Sequence, residues 1–390
     1  MLVLTENSEA FGLYVHWPFC LSKCPYCDFN AHLLDPNLDE TAWLKAYLNE
    51  LRHFHQETAQ KTVSTLFFGG GTPSLMPSKI MSVIIEEIDR LWGFSSTAEI
   101  SMEANPTSVE AGKFLAFREA GVNRLSLGIQ SFDDQALKLL GRQHDSKQAL
   151  DAIALAREIF PRSSFDLIYA RPESNLAAWQ KELDFALSLE PEHISLYQLT
   201  IEPGTVYQAA VRRGDFEPLD DDLASEQFEF TQARLDESGL PAYEISNHGK
   251  PGAECQHNLV YWRYQDYVGV GPGAHGRFAS ENKKVATRQH RAPSVWLEQA
   301  STNGHATVDR EILSEESMFA EFCMMGLRLS EGVNLNRLEQ RWPTSFGEIM
   351  TQERLSWLEE IGCLNRQKSQ LMVTDYGRQR LDSVLGSLLS

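Results

Sequence analysis

The chain has 390 residues, a formal net charge of −19 and a hydrophobic fraction of 42%. This length suits one large domain with a sizeable core plus a small appendage. Such an acidic protein repels a phosphate backbone, so we expect no general nucleic-acid binding. No apolar run approaches the roughly 20 residues of a membrane-spanning helix, and the first ten residues lack the basic start of a signal peptide. We therefore predict a cytoplasmic protein without a membrane span.

The first predicted strand, residues 11–16, leads into three closely spaced cysteines with the pattern CxxxCxxC. Cys20, Cys24 and Cys27 place three thiolates on one short loop. Three thiolates can hold three corners of a cubane iron–sulfur cluster and leave one iron without a protein ligand. Chemistry at that open iron is the first function that the sequence indicates.

Zinc is the alternative that these residues leave open by themselves. A structural zinc ion takes four ligands, and the fourth would be His16, His32 or the distant Cys255. Thiolate-rich sites suit both metals. The six cysteines do not form the disulfide framework of a small secreted protein, so we expect a reducing compartment.

Short apolar runs alternate with amphipathic helical segments from about residue 11 to 200. This alternation is typical of repeated βα units on a parallel sheet. The predicted strands are 11–16, 63–68, 98–103, 123–129, 164–169 and 192–197, and the predicted helices are 39–57, 79–91, 108–119, 146–158 and 176–188. We therefore predict an α/β fold, a partial (β/α)6 TIM-like barrel, with its active site at the carboxyl ends of the strands.

The pattern becomes irregular after residue 200. A helix near 222–238 and a strand near 242–246 precede a Gly-, His- and aromatic-rich stretch that we expect to lie beside or across the barrel. Beyond about residue 310 the pattern ends in a helix, two strands and a helix, as in a winged-helix module. From residue 311 onward 12 acidic residues outnumber 8 basic ones, which disfavours a role in reading DNA. The predicted parts are a core barrel with the cofactor sites (1–240), a barrel-covering segment (241–310) and a small, mainly helical, winged-helix-like domain (311–390).

The second predicted strand runs into three consecutive glycines, Gly69 to Gly71, followed by Thr72. Such a run exposes backbone N–H and C=O groups, so a ligand can lie against the main chain. A glycine triplet by itself is more often a turn than a binding site. Beside a cysteine cluster, it predicts a ligand site.

These motifs carry a family resemblance. The runs YxHxPFCxxxCxxCDF, FFGGGTP, SMEANP, RLSLGIQSF, LGRQH and DLIY resemble the radical S-adenosylmethionine (SAM) enzymes, and among them the oxygen-independent coproporphyrinogen III oxidase-like branch. In that family the open iron chelates SAM, and one electron from the cluster cleaves the sulfonium to a 5′-deoxyadenosyl radical. The resemblance therefore implies a [4Fe-4S] cluster on Cys20, Cys24 and Cys27, bound SAM and an electron donor, and it disfavours zinc.

The resemblance also implies SAM-binding residues, which fall at the ends of successive strands. They are Tyr14, Tyr26, Gly70, Gly71, Thr72, Glu103, Gln130, Arg142 and Asp166. Glu103 would accept from the SAM ammonium or the ribose hydroxyls. Arg142 would fork onto a carboxylate, and Asp166 would accept a hydroxyl or amine proton.

One departure from the family pattern matters for function. The oxidase of this branch carries a fourth cysteine two residues after the third, where this chain has Phe29. The chain instead resembles the haem chaperone (HemW-like) subgroup, which keeps the SAM core and is described as carrying haem to acceptor haemoproteins.

The run HNxxYW supports that subgroup, because the resemblance associates it with haem binding. Its members are His257, Asn258, Tyr261 and Trp262. His257 offers an imidazole to iron, Tyr261 offers a phenolate or hydrogen bond, and Trp262 can cover a porphyrin face. Read from the residues alone, a histidine beside two aromatics is more often part of a packed core cluster. His275, in a second glycine-rich loop, is a further candidate ligand.

The leading hypothesis is a haem chaperone built on a radical SAM core, and whether it turns over a substrate stays open. The alternatives are oxidative decarboxylation of coproporphyrinogen III and radical methylation of a small aromatic substrate. Cys255 and Cys323 are possible iron ligands, although a buried inert cysteine is the more common state. Catalytic residues, the acceptor protein, the haem axial ligands and the oligomeric state do not follow from the sequence.

Overall fold

The protein is described here by a computed structural model, which covers residues 10–281 and 283–389. The predicted absence of a signal peptide falls mainly on residues 1–9, outside the described residues. The strands are β1 Phe11–Trp17, β2 Phe19–Cys20, β3 His32–Leu33, β4 Val63–Gly70, β5 Phe94–Ala104, β6 Arg124–Gln130, β7 Arg162–Tyr169, β8 His193–Gln198, β9 Asn247–Gly249, β10 Asp266–Val270, β11 His275–Ser280, β12 Lys283–Gln289, β13 Thr307–Ile312, β14 Val333–Asn334, β15 Leu364–Gln367 and β16 Gln370–Val373.

The helices connect and cover these strands. They are α1 Glu40–Thr58, α2 Ser78–Trp92, α3 Ser108–Ala111, α4 Phe114–Glu119, α5 Asp134–Leu139, α6 Ser146–Ile159, α7 Leu176–Ser188, α8 Val206–Arg213, α9 Asp221–Glu237, α10 Gln256–Trp262, α11 Pro293–Asn303, α12 Glu315–Gly326, α13 Leu335–Arg341, α14 Pro343–Ile349, α15 Gln352–Glu360, α16 Asp375–Arg378 and α17 Leu381–Leu389. Among the described residues, no helix combines the length and apolarity needed to cross a membrane.

Eleven strands form one open sheet in the order β13-β12-β11-β10-β1-β4-β5-β6-β7-β8-β9. The six strands β1 and β4 to β8 pair in parallel with their neighbours in this series, which confirms the predicted α/β core. The sheet is open, and an antiparallel pair forms each of its two edges. The carboxyl ends of the six parallel strands meet at one edge, where an α/β sheet places its ligands.

Strand β1 shows how the sequence positions its side chains. Phe11, Leu13 and Val15 alternate along the strand and are fully buried in the main hydrophobic core. Because successive side chains of a strand point to opposite faces, Tyr14 and His16 project from the other face. That face carries the two cavities described below.

Residues 241–310 were expected beside or across the barrel, and in the structure much of this segment extends the sheet. β10 pairs in parallel with β1, and β11, β12 and β13 follow as antiparallel neighbours. The predicted strand at 242–246 is wrong, since the strand here is β9. The Glu244 carboxylate accepts hydrogen bonds from the Ser246 N–H and the Asn247 side chain, and these bonds stabilise a turn before β9.

The carboxyl-terminal region is mainly helical and has its own three-stranded sheet, in the order β14-β16-β15. Its hydrophobic cluster includes the fully buried Phe319, Leu338 and Leu371. The predicted helix, two strands and final helix are present as α15, β15, β16 and α17. Helix α12 joins this region to the large sheet through Glu321, which pairs with Arg277 of β11.

Candidate functional site

A cavity of about 430 Å³ opens at the carboxyl ends of the parallel strands, and all three cysteines of the CxxxCxxC loop line it. Eight of the nine predicted SAM-binding residues line it too, namely Tyr26, Gly70, Gly71, Thr72, Glu103, Gln130, Arg142 and Asp166. These residues are far apart in the chain and meet because parallel strands end at one edge of the sheet. We call this space the cysteine cavity.

The three cysteines are free thiols, and hydrogen-bond donors lie against two of their sulfurs. Thr72 Oγ1 donates to Cys20 Sγ across 3.3 Å. Arg142 Nη1 donates to Cys24 Sγ across 3.5 Å. Donors of this kind favour the thiolate, which is the form that binds metal.

The donor set of this loop fits an iron–sulfur cluster. Burial raises the pKa of Cys20 and of Cys27, and repulsion between neighbouring thiolates adds to the rise. A metal cluster supplies the positive charge that such a group of thiolates requires. Within residues 10–281 and 283–389, no group of three His, Cys, Asp or Glu side chains is placed around a single ion. His16, one proposed fourth zinc ligand, is hydrogen-bonded to Tyr14 and to the Asn30 carbonyl.

The glycine loop after β4 lies directly against the start of the cysteine loop. The Gly71 N–H donates to the Trp17 carbonyl across 2.7 Å. A side chain at Gly71 would meet the Phe19 backbone, and Gly70 adopts φ +117°. Glycine is therefore required at both positions for this close approach.

Two carboxyl groups, Glu103 and Asp166, face the cysteine cavity together. Burial first, and the charge of Asp166 second, raise the pKa of Glu103 to about 8, while the Gly70 N–H opposes the shift. Burial also raises the pKa of Asp166, to which Ser126 Oγ donates across 3.2 Å. Two buried carboxyls in one cavity favour a ligand that brings positive charge or hydroxyl donors.

Arg142 was expected to fork onto a ligand carboxylate, but the protein already occupies most of its guanidinium. It donates to Asn105 Oδ1, to the Gly128 carbonyl and to Cys24 Sγ. Its Nε has no acceptor among the described residues. Arg142 thus ties the cysteine loop to the ends of β5 and β6. The sequence reasoning missed Asn105, although it stands in the quoted SMEANP run directly after β5.

Gln130 ends β6 in the left-handed region, at φ +66°. A register shift interrupts the pairing of β6 with β7 between Leu127 and Gln130. Strained backbone of this kind is concentrated at ligand sites. Here it accompanies a side chain that lines the cysteine cavity.

A second cavity, of about 630 Å³, adjoins the first, and we call it the tyrosine cavity. Phe29, Gly70 and Glu103 line both cavities. Tyr14, expected near the cluster, lines the tyrosine cavity and not the cysteine cavity. The alternation along β1 places it beside His16, whose Nδ1 lies 3.0 Å from the Tyr14 hydroxyl.

The HNxxYW motif divides between this cavity and the core. Tyr261 and Trp262 line the tyrosine cavity, whereas His257 and Asn258 do not. His257 is buried on α10, with Nδ1 2.8 Å from Thr65 Oγ1 and Nε2 2.7 Å from the Tyr261 hydroxyl. Burial lowers the pKa of His257 to about 3. Both ring nitrogens are occupied, so His257 offers no free nitrogen to iron in this conformation.

Other candidate iron ligands have contrasting positions. Burial raises the pKa of Cys255 to about 12 and also raises that of Cys323, and neither residue lines either cavity. His275 is exposed and lines the tyrosine cavity. Sequence reasoning also missed the arginines of this cavity, because no local motif marks them.

Comparison with known proteins agrees with this architecture. The Radical SAM superfamily model matches residues 14–186, and the HemN C-terminal domain model matches residues 313–380. The chain is 36% identical to the heme chaperone HemW of Escherichia coli, over 97% of this chain and 98% of that protein. It is 37% identical to the mitochondrial radical S-adenosyl methionine domain-containing protein 1 of Bos taurus, over 98% of this chain and 88% of that protein.

Among solved structures, the coproporphyrinogen III oxidase HemN of Escherichia coli, a radical SAM enzyme, superposes with a TM-score of 0.83 at 22% identity. The match covers 98% of this chain and 90% of that one, which shows a shared fold. The family assignment follows from the HemW proteins, which are at least 30% identical to this chain over nearly its full length. The chain belongs to the radical SAM family that includes the heme chaperone HemW.

Proposed function

We propose that this chain is a cytoplasmic haem chaperone that binds haem and transfers it to acceptor haemoproteins. The observation that carries the proposal is the tyrosine cavity, which Tyr261 and Trp262 of the HNxxYW motif line. This cavity lies against the cysteine cavity and shares Gly70 and Glu103 with it. The similarity to HemW proteins over nearly the full length of this chain supports the same function.

The cysteine cavity would hold the resident cofactors. Cys20, Cys24 and Cys27 would ligate a [4Fe-4S] cluster. Glu103 and Asp166 would receive the ammonium and hydroxyl groups of SAM, which their shared cavity suits. When bound, the cluster and SAM supply reductive cleavage of a sulfonium, for which an electron donor is required. The chain's own contribution is to stabilise the thiolates and to orient the cofactor.

Phe29 favours a carrier over an oxidase. The oxidase pattern has a cysteine at this position, whereas Phe29 exposes 58% of its surface and lines both cavities. An exposed aromatic ring at such a junction suits contact with a flat apolar ligand. Phe29 cannot supply the thiol that the oxidase pattern has at this position.

The test compares haem carriage with turnover. The anaerobically reconstituted protein is titrated with haem and then mixed with an apo-haemoprotein, and the Soret band reports binding and transfer. Parallel reactions contain coproporphyrinogen III, or a small aromatic substrate, with SAM and a reductant. We expect one haem per chain, transfer to the acceptor and no decarboxylated or methylated product. Turnover without haem transfer would overturn the proposal in favour of an enzyme.

A further inference from the structure

The hairpin of β11 and β12 places an imidazole and two guanidinium groups on one face of the sheet. His275 stands opposite Arg288 in the antiparallel register, and Arg277 lies two residues after His275. Opposite residues, and residues two apart on a strand, share a face. Tyr267 of β10 stands opposite Arg277 and joins the same face. All four residues line the tyrosine cavity.

His275 has the properties of an available metal ligand. It is exposed, and its ring makes no hydrogen bond or ion pair with any residue that the structure describes. Partial burial, followed by the charges of Arg277, Arg288 and Arg291, lowers the pKa of His275. The ring is therefore held as neutral imidazole, the form that binds iron. This is the opposite of His257, whose two ring nitrogens are both engaged.

The arginines leave positive charge at the cavity. Glu321 pairs with Arg277, with Nη2 and Oε1 3.1 Å apart, and Asp309 pairs with Arg288. Arg291 is exposed, and no acidic side chain in the described part of the chain pairs with it. A guanidinium fork recognises a carboxylate through two parallel hydrogen bonds. The cavity is thus suited to a ligand that carries carboxylates.

The remaining walls suit a flat ring system. Tyr261, Trp262 and Tyr264 supply aromatic surface. Gly269 lies in β10 next to β1, where its partner is Tyr14. A side chain at Gly269 would strike the His275 carbonyl, so glycine is required there for the His275 backbone to lie this close to β10. The volume of about 630 Å³ falls within the range of roughly 300–1,000 Å³ typical of cofactor sites.

An aromatic wall, unneutralised arginine and a free imidazole together fit a planar, iron-bearing dicarboxylate. We propose that haem binds in the tyrosine cavity with His275 as axial ligand to its iron and with Arg288 and Arg291 on its propionates. The inference rests on the proposed haem chaperone function and deepens it by assigning the iron and carboxylate contacts. His257 then acts as a positioning residue, which holds Tyr261 in the cavity wall through their 2.7 Å hydrogen bond.

The first test is a haem titration of the anaerobically reconstituted wild type, His275→Ala and His257→Ala, with resonance Raman and EPR spectra of each complex. We expect His275→Ala to lose the histidine–iron signature and to bind haem about tenfold more weakly. Added imidazole should restore that signature in His275→Ala. It should not change the His257→Ala spectrum, which keeps its protein-derived histidine ligand. His275→Tyr, a second variant, should convert the spectrum to that of a phenolate ligand.

The second test addresses the propionates. Arg288→Ala/Arg291→Ala should weaken haem binding about tenfold and leave the affinity for haem dimethyl ester unchanged. The matched control is Arg310→Ala/Arg366→Ala, which removes two ion-paired surface arginines outside the cavity and should bind haem like the wild type.

The outcomes separate the inference from the proposed function. A wild type that binds no haem overturns the function, and the inference with it. A wild type that binds haem, with a folded His275→Ala that keeps both the affinity and the histidine signature, overturns the inference alone. An equal loss of haem and of its dimethyl ester in the double arginine variant overturns the propionate assignment.

Discussion

The Thr72 hydroxyl donates to the Cys20 sulfur across 3.3 Å, although 52 residues separate the two in the chain. Thr72 follows the glycine loop at the end of β4, and Cys20 ends β2. The contact joins two motifs that the sequence shows only as separate runs. It also places a hydrogen-bond donor on a sulfur that we expect to ligate iron.

Replacing that donor should lower the reduction potential of the cluster. Hydrogen bonds to the sulfurs stabilise the reduced, more negative cluster. A hydrogen bond of about 0.5–1.5 kcal/mol corresponds to roughly 20–60 mV for a one-electron couple. We therefore expect Thr72→Val to shift the midpoint downward by up to this amount in an EPR-monitored redox titration. The control is Thr200→Val, which changes another threonine of the same cavity; equal shifts in both variants would contradict the assignment.

Glu103 should make SAM binding depend on pH. Its pKa of about 8 reflects burial first and the neighbouring charge of Asp166 second, with Arg124 opposing. An ammonium or hydroxyl donor binds the carboxylate, whose population grows as the pH rises. We expect SAM affinity to increase up to about tenfold between pH 7 and 9. Calorimetry under anaerobic conditions checks this. Glu103→Gln should bind weakly with no such dependence, and an equally steep profile in that variant would refute the role.

Glu50, which lines neither cavity, should make folding stability depend on pH. It is fully buried on α1, where it accepts hydrogen bonds from the Gly271 N–H, Trp296 Nε1 and the Ala306 N–H. Burial raises its pKa from 4.5 to about 7, so the folded state holds the proton more tightly. This contribution is complete below pH 4.5 and is lost as the pH rises to about 7, by up to roughly 3 kcal/mol.

Urea unfolding across this pH range, with the wild type compared with Glu50→Gln, isolates the Glu50 contribution. The difference between their unfolding free energies should decline from pH 4.5 to 7 and then level off. A difference that stays constant with pH would show that Glu50 does not titrate in this way.

His257 and His275, the two candidate histidine ligands to haem iron, should differ in what they contribute to folding stability. His257 bonds Thr65 and Tyr261, and its ring stacks on Phe67 with centroids 5.2 Å apart. Its replacement by alanine should cost about 2–4 kcal/mol of unfolding free energy. His275→Ala should stay within about 0.5 kcal/mol of the wild type, because His275 is exposed. Chemical denaturation measures both, and the reverse order would contradict the structure.

Gly70, Glu103 and Asp166 were predicted from the family resemblance, which implies that they bind SAM. The βα repeat supplies the physical reason that they lie in one cavity, because it places the carboxyl ends of parallel strands at one edge of the sheet. Helix limits were less certain, and the predicted helix at 108–119 breaks into α3 and α4 around Gly112.

The tyrosine cavity could not be predicted in the same way. Its arginines depend on the register of β11 with β12, which tertiary pairing sets. The environment of His257 depends on Thr65, 192 residues away. Spacing within HNxxYW therefore could not show that His257 faces the core while Tyr261 and Trp262 face the cavity.

The most direct test of the account measures iron, sulfide and haem on the same anaerobic preparations of wild type, Cys24→Ala and Cys323→Ala. The account predicts about four cluster irons and one haem per wild-type chain. It predicts that Cys24→Ala loses the cluster yet still binds haem, and that Cys323→Ala, whose cysteine is outside both cavities, matches the wild type. A wild type that contains only zinc would contradict the proposed iron–sulfur cluster. A folded Cys24→Ala that loses cluster and haem together would contradict the claim that they bind at two adjacent, separate sites.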